Sequence, residues 1–120
     1  MNLLIDTNIA LYLLGGDSKL AGLLDNTVLH LSFVSELELL SYPDTRNDNQ
    51  RQIEQFIDDC LIIDITIPIK KQAVVIRKNT DLKMSDALIA GSAVAEHMPF
   101  LSADKDFERV DDLHLFTYEV

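Results

Sequence analysis

The sequence predicts an α/β fold: a three-layer α/β/α sandwich around a central, mostly parallel five-stranded sheet. Three observations carry this. Short apolar runs of strand length alternate with amphipathic stretches along nearly the whole chain. The breaks between them hold residues that cap or end helices, among them Asp6, Gly15, Gly16 and Pro68. Parallel strands joined through helices need crossover connections, and a 120-residue chain holds such a sheet within one domain, residues 1–120.

Residues 2–5 form an apolar run without turn residues and read as a buried strand ending at Asp6. Beyond it Ile9, Ala10, Leu13 and Leu14 fall at helical spacing, with Asp6 or Thr7 as N-cap and Gly15-Gly16 as the stop. Residues 17–24 predict a short helix with Leu20, Leu23 and Leu24 on one face, and residues 27–33 a second strand. Residues 34–41 turn helical, with Ser35 as cap, and Pro43 breaks the helix. Residues 44–48 are a polar connector, overlapping a helix over 46–59 that carries Ile53, Phe56 and Ile57. Residues 61–65 predict the third strand. Pro68 suits the first turn of a helix running to about residue 78 with Ala73, Val74 and Ile76. Residues 79–83 form a loop. The next helix, 86–97, is built from small residues (Ala87, Ala90, Gly91, Ala93, Ala95) and so packs closely on a sheet. Residues 100–102 predict the fourth strand, 106–110 a short helix and 113–117 the fifth strand.

The longest low-polarity run, residues 87–95, is far shorter than the roughly 20 residues that span a bilayer. The N-terminal stretch carries Asp6 and no basic flank, so neither a signal peptide nor a membrane association is expected, and the predicted location is cytoplasmic. Cys60 is the only cysteine, which excludes a disulfide framework and a thiolate metal site; it reads as a small core residue. The formal charge of −10 argues against an ordinary nucleic-acid binder, which presents a basic face. The cations are unevenly placed, however. Lys70, Lys71, Arg77, Lys78 and Lys83 crowd one segment, and Lys105 and Arg109 flank an acidic motif near the C-terminus.

Four acids stand where a strand ends or a helix begins: Asp6 in LLIDTN, Glu38 in SELELL, Asp86 in KMSDALIAGSA and Asp104 in LSADKDF. Each alone has a plain structural role. Asp6 can be an N-cap, Asp86 a first-turn acid favoured by the helix dipole, Glu38 a surface acid and Asp104 a turn former. Together they suggest more. In a doubly wound sheet, sites form beyond the carboxyl ends of the strands where the strand order reverses. If the first and fourth strands are neighbours there, Asp6 and Asp104 meet, with Asp86 and Glu38 close by. Carboxylates held together call for a cation, and Mg²⁺ or Mn²⁺ among such acids suits phosphodiester cleavage. His30, His97 and His114 read as structural residues in or beside core elements.

These motifs resemble the PIN-domain family and, within it, the VapC-type toxins of bacterial toxin–antitoxin modules. The resemblance covers nearly the whole chain, and the hydrophobic-DTN start and the DALIA segment are its more specific parts. It implies a Mg²⁺- or Mn²⁺-dependent endoribonuclease that leaves 5′-phosphate and 3′-hydroxyl ends, works as a homodimer and is inhibited by a cognate antitoxin. It further implies that Asp6, Glu38, Asp86 and Asp104 are the catalytic, metal-binding acids. Thr7 or Asn8 after the first acid, and Ser102 before the last, would support them by hydrogen bonds. Glu36 competes with Glu38 for the second position, and the spacing from Ser35 favours Glu38. Asp106 competes with Asp104 for the fourth; Asp104 matches better, because Asp106-Phe107 is similar to the trailing acid-Phe pair. Ser102 stands where the family more often has Thr, which keeps the hydroxyl. The implied groove for an antitoxin segment would draw on Leu11, Tyr12 and Leu14.

Two other readings fit part of the pattern. A phosphoacceptor receiver domain has a similar length and fold type, with Asp64 as acceptor and Lys105 following the fourth strand. Against it, the first strand of this chain ends in the single acid Asp6, where a receiver domain has an adjacent acidic pair. A catalytically inactive PIN-fold binding module keeps the fold and drops the chemistry.

Overall fold

In the computed structural model, which describes residues 1–43 and 47–119, strands and helices alternate along the chain. β1 (Asn2–Ile5) leads to α1 (Thr7–Leu14) and α2 (Ser18–Leu23); β2 (Val28–Ser32) to α3 (Phe33–Leu40) and α4 (Asn47–Asp59). β3 (Leu61–Ile63) leads to α5 (Ile67–Asn79) and α6 (Met84–Ala95), β4 (Phe100–Ser102) to a short 3₁₀ helix (Lys105–Arg109), and β5 (Leu115–Thr117) follows. The strands lie in the order β3-β2-β1-β4-β5, and every pairing is parallel. The order reverses at β1, which pairs with β2 on one side and β4 on the other, so the expected switch point lies between β1 and β4.

Alternation along β1 sends Leu3 and Ile5 to one face of the sheet and Leu4 to the other. Leu3 and Ile5 join Ile9 and Ala10 of α1, Leu20 of α2, and Ile53 and Ile57 of α4. Leu4 joins Ala73 and Ile76 of α5, Ala87, Ala90 and Ala93 of α6, and Phe107. Each fully buried Leu or Ile in these layers contributes about 1.5–3 kcal/mol. Phe100 and Phe107 meet edge to face, with ring centroids 4.9 Å apart, and so anchor the 3₁₀ helix to β4. Cys60 lies in the first layer, and burial pushes its thiol pKa up to about 11.

Local chemistry sets the element ends. Asp6 caps α1 by accepting from the Ile9 N–H at 2.9 Å, and Gly16, at φ +90°, supplies the left-handed turn after that helix. Asp17 caps α2 in the same way through Leu20 N–H. The α3 cap is Ser32, accepting from Val34 N–H at 3.1 Å, and not Ser35 as the sequence suggested; β2 therefore stops before Phe33. Ser35 is buried inside the helix instead. β3 and β5 are each two residues shorter than expected, and α6 begins at Met84 rather than at Asp86. Leu23 and Val74, expected on buried faces, are exposed; Leu20 alone fills the α2 contact, and Ile69, Ala73 and Ile76 form the buried face of α5. Of the 44–48 connector, residues 44–46 lie outside the described residues.

The small residues of α6 do the packing expected of them. A Cβ added at Gly91 would meet the backbone nitrogen of Ala73 at 3.1 Å and the carbonyl oxygen of Ile69 at 3.3 Å. Any side chain there would press α5 and α6 apart by a few tenths of an ångström, so the glycine permits their close approach. No helix among the described residues is long and apolar enough to cross a membrane.

Candidate active site

Asp6 follows the last residue of β1, and its backbone N–H reaches across to Leu101 O of β4 at 3.3 Å. The chain leaves β1 toward the α1 side of the sheet, where Ile9 is buried, and leaves β4 toward the α6 side, where Phe107 is buried. A cleft opens between these two departures, with a volume of about 440 Å³. Asp6, Glu38, Asp86 and Asp104 all line it, together with Thr7, Asn8, Lys83 and Ser85. Four acids separated by up to 98 positions of sequence thus share one hollow at the switch point.

Asp6 is the most constrained of the four, being 5% exposed. Its Oδ1 accepts from Ile9 N–H, and its Oδ2 accepts from the Ser102 hydroxyl. Ser102 is fully buried, and its Oγ also accepts Asp104 N–H at 2.9 Å. Asp104 in turn caps the 3₁₀ helix, its Oδ1 accepting Asp106 N–H at 2.9 Å.

Glu38 is held from the opposite side. Thr7 Oγ1 lies 2.6 Å from Glu38 Oε1 and 2.9 Å from Ser35 Oγ. Thr7 has one hydroxyl proton and a carboxylate only accepts, so that proton goes to Glu38 and Ser35 donates to Thr7. The support is crossed: the hydroxyl after the first acid holds the second, and the hydroxyl before the last acid holds the first. Asn8 lines the cleft but makes no hydrogen bond to the acids among the described residues. Ser35, read from sequence as a cap and as the spacing reference for Glu38, is the residue whose hydrogen bond into the site was missed. Its signal was the three-residue spacing to Glu38, which places both on one face of α3.

The competing acids fall elsewhere. Glu36 does not line the cleft. Asp106 lies on the 3₁₀ helix, with a carboxylate oxygen 3.7 Å from the Arg109 guanidinium. None of His30, His97 and His114 lines the cleft; His30 pairs with Asn2, while His97 and His114 are exposed on the surface rather than set in the core. Asp64 follows β3 at the edge of the sheet, exposed and accepting from Ile65 N–H, far in the strand order from β4. That placement removes the receiver-domain reading, which needs Asp64 beside the residue after β4.

The acids raise one another's cost of ionisation. Burial pushes the Asp6 carboxyl above its ordinary 3.8, with Asp104 and Asp86 adding to the rise against the lowering by Ser102 and Ile9 N–H. Asp86 is likewise raised, first by burial and then by Asp104, Glu38 and Asp106, while the Lys83 ammonium opposes the rise. Among the described residues, no three His, Cys, Asp or Glu side chains stand close enough to form a ready-made ion cage. The donor set still fits a hard divalent cation. It is all oxygen, it carries excess negative charge, with Asp6 buried, Asp86 and Asp104 half-buried and Glu38 exposed at the rim, and Mg²⁺ ordinarily keeps several waters and takes only one or two carboxylates directly.

The PIN domain family model matches residues 3–113. Among solved structures, the chain is similar to one in the crystal structure of VapBC2 from Rickettsia felis bound to a DNA fragment from their promoter. The TM-score is 0.84 at 23% identity, covering 99% of this chain and 100% of that one. It is similar also to a chain of a toxin–antitoxin complex from Klebsiella pneumoniae, with a TM-score of 0.85 at 22% identity over 98% and 99% of the two chains. A chain of VapBC-1 from nontypeable Haemophilus influenzae matches with a TM-score of 0.79 at 22% identity over 98% of each. At these identities the likeness is one of fold. A comparison with curated protein sequences finds no match.

Proposed function

The chain belongs to the PIN domain family, and on that premise we propose that it is a divalent-metal-dependent endoribonuclease acting as the toxin of a toxin–antitoxin module. The observation that carries the reading is the shared cleft: four acids from four separate segments line one hollow at the switch point, two of them destabilised as anions by burial and by the others. Such an arrangement costs folding energy and returns it only when a cation binds.

Asp6, Glu38, Asp86 and Asp104 would hold Mg²⁺ or Mn²⁺. When bound, the ion supplies a lowered pKa for water and charge to stabilise the phosphate being attacked. The chain's own residues prepare the site. Ser102 and the Ile9 N–H fix both oxygens of Asp6, and Thr7 fixes Glu38, so few rotamers remain to be lost on binding. No histidine lines the cleft, so no imidazole acts as general base among the described residues. Cleavage leaves a 5′ phosphate and a 3′ hydroxyl. Residues 1–120 act as one PIN-like nuclease domain, in the cytoplasm and as a homodimer.

A cognate antitoxin is the partner we infer, because the similar chains come from VapBC and other toxin–antitoxin complexes. Leu11 and Leu14 border a second hollow of about 260 Å³ with Tyr42 and Ile53, beside the acid cleft, and a peptide segment could follow it. Tyr12 does not line this hollow.

Incubation with single-stranded RNA tests the reading. Cleavage in Mg²⁺ or Mn²⁺, its loss in EDTA, and 5′-phosphorylated products support it. Intact RNA under all metal conditions, from a folded protein, would leave only the non-catalytic binding module.

A further inference from the structure

An RNA phosphate entering this cleft meets four carboxylates, and a divalent ion cannot neutralise them all. The overall charge of −10 matters less than the groups inside the hollow, because charges beyond about 8 Å are largely screened at physiological salt. The local cations therefore decide how substrate binds.

Lys83 is the one cation among the described residues that lines the acid cleft. The others nearby are committed or lie elsewhere. Arg77 donates to Leu82 O at 2.7 Å, and Arg109 is paired with Asp81 and lies near Asp106. Lys105 follows Asp104 but does not line the cleft. Lys83 is exposed, stands one helical turn before Asp86, and makes no ion pair within 4.0 Å with any described acid, though its charge is felt at Asp86. An ammonium in an acidic cleft that has not collapsed onto a carboxylate is available to a ligand. The ligand chemistry it fits is a phosphodiester oxygen.

Resting on the ribonuclease reading, we propose that Lys83 is a substrate-binding residue of the cleft, its ammonium taking a backbone phosphate of single-stranded RNA beside the acids. The contact is to phosphate alone, so it adds affinity without sequence preference.

The test measures binding of labelled oligouridylate and oligoadenylate by fluorescence anisotropy over a salt series. Ca²⁺ replaces Mg²⁺ so that the RNA stays intact. Lys83→Ala should weaken both RNAs by about tenfold, the weight of one charge-assisted hydrogen bond. The slope of log affinity against log salt should become shallower by about 0.7, the value for one phosphate contact on a single strand. Lys83→Arg should restore both, and Mn²⁺ affinity should hold or rise in Lys83→Ala, since a positive charge beside the ion is gone. Unchanged RNA affinity and slope in Lys83→Ala overturn the inference, as does a parallel loss of RNA and Mn²⁺ binding, which marks a structural defect. A wild type that binds Mn²⁺ yet neither binds nor cleaves RNA overturns the ribonuclease reading itself, and the inference with it.

Discussion

The Ser102 hydroxyl donates to Asp6 across 96 positions of sequence, while its oxygen accepts the Asp104 N–H at 2.9 Å. One buried oxygen atom therefore fixes the first and last acids relative to each other. Ser102→Ala removes the donor and leaves a buried carboxylate oxygen unpaired, costing about 1–3 kcal/mol. It also removes the main contact lowering the Asp6 pKa, so the pH needed for activity should move upward. Ser102→Thr should retain both properties. Chemical denaturation and a pH–rate profile check the pair of effects.

Thr7 couples Ser35 to Glu38. Thr7→Val strands the buried Ser35 hydroxyl and frees the Glu38 carboxylate. We expect a stability loss of about 1–3 kcal/mol and a 10- to 100-fold loss of activity or metal affinity, as for other residues that orient a ligand. Thr7→Ser should recover most of both. Melting curves and Mn²⁺ titration of the three proteins make the comparison.

The charge on Asp6 opposes folding when no metal is present. Its folded pKa lies above the ordinary 3.8, so between those values the folded chain holds more protons than the unfolded one. The stability this provides is full below about 3.8 and is lost as pH rises through the folded pKa. Asp6→Asn keeps a good N-cap for α1 and removes the charge. Its melting temperature in EDTA should match wild type at acid pH and exceed it at pH 8. A relief of about 1 kcal/mol corresponds to roughly 4 °C. A difference independent of pH would show that ionisation of Asp6 carries no such cost. Added Mn²⁺ should reverse the order at pH 8 by stabilising only the wild type.

Close approach of α5 and α6 depends on Gly91. The Cβ of Gly91→Ala would stand 3.1 Å from Ala73 N and 3.3 Å from Ile69 O, both backbone atoms that cannot turn away. The helices must part, at a cost of about 1–3 kcal/mol in urea denaturation. Because Asp86 lies on α6, Mn²⁺ affinity should fall as well.

The fold class was legible because strand and helix periods alternate cleanly, and β1 and β4 have the bounds their apolar runs predict. What sequence could not supply was the neighbourhood of β1 and β4, since strand order follows from packing the whole sheet. It entered only as a condition, which the β1–β4 pairing meets. The reading of Ser35 as the α3 cap failed for a related reason. Either serine can cap a helix, and only the three-dimensional position of Thr7 gives Ser35 another partner. Leu23 and Val74 look like core residues by periodicity but extend past the area their helices have to cover. At the site, the order of acids marked which residues could meet. The crossed support by Thr7 and Ser102 belongs to contacts between segments distant in sequence, and the standing of Lys83 as the one described cation in the cleft depends on which other segments border it.

Titration calorimetry with Mn²⁺ at pH 7.5, on wild type and on Asp6→Asn and Asp86→Asn, tests most directly whether these acids form one cation site. Saturable binding by the wild type, weakened at least about tenfold by either substitution in a protein that still folds, is the expected result. Equal Mn²⁺ affinity in all three proteins would contradict it.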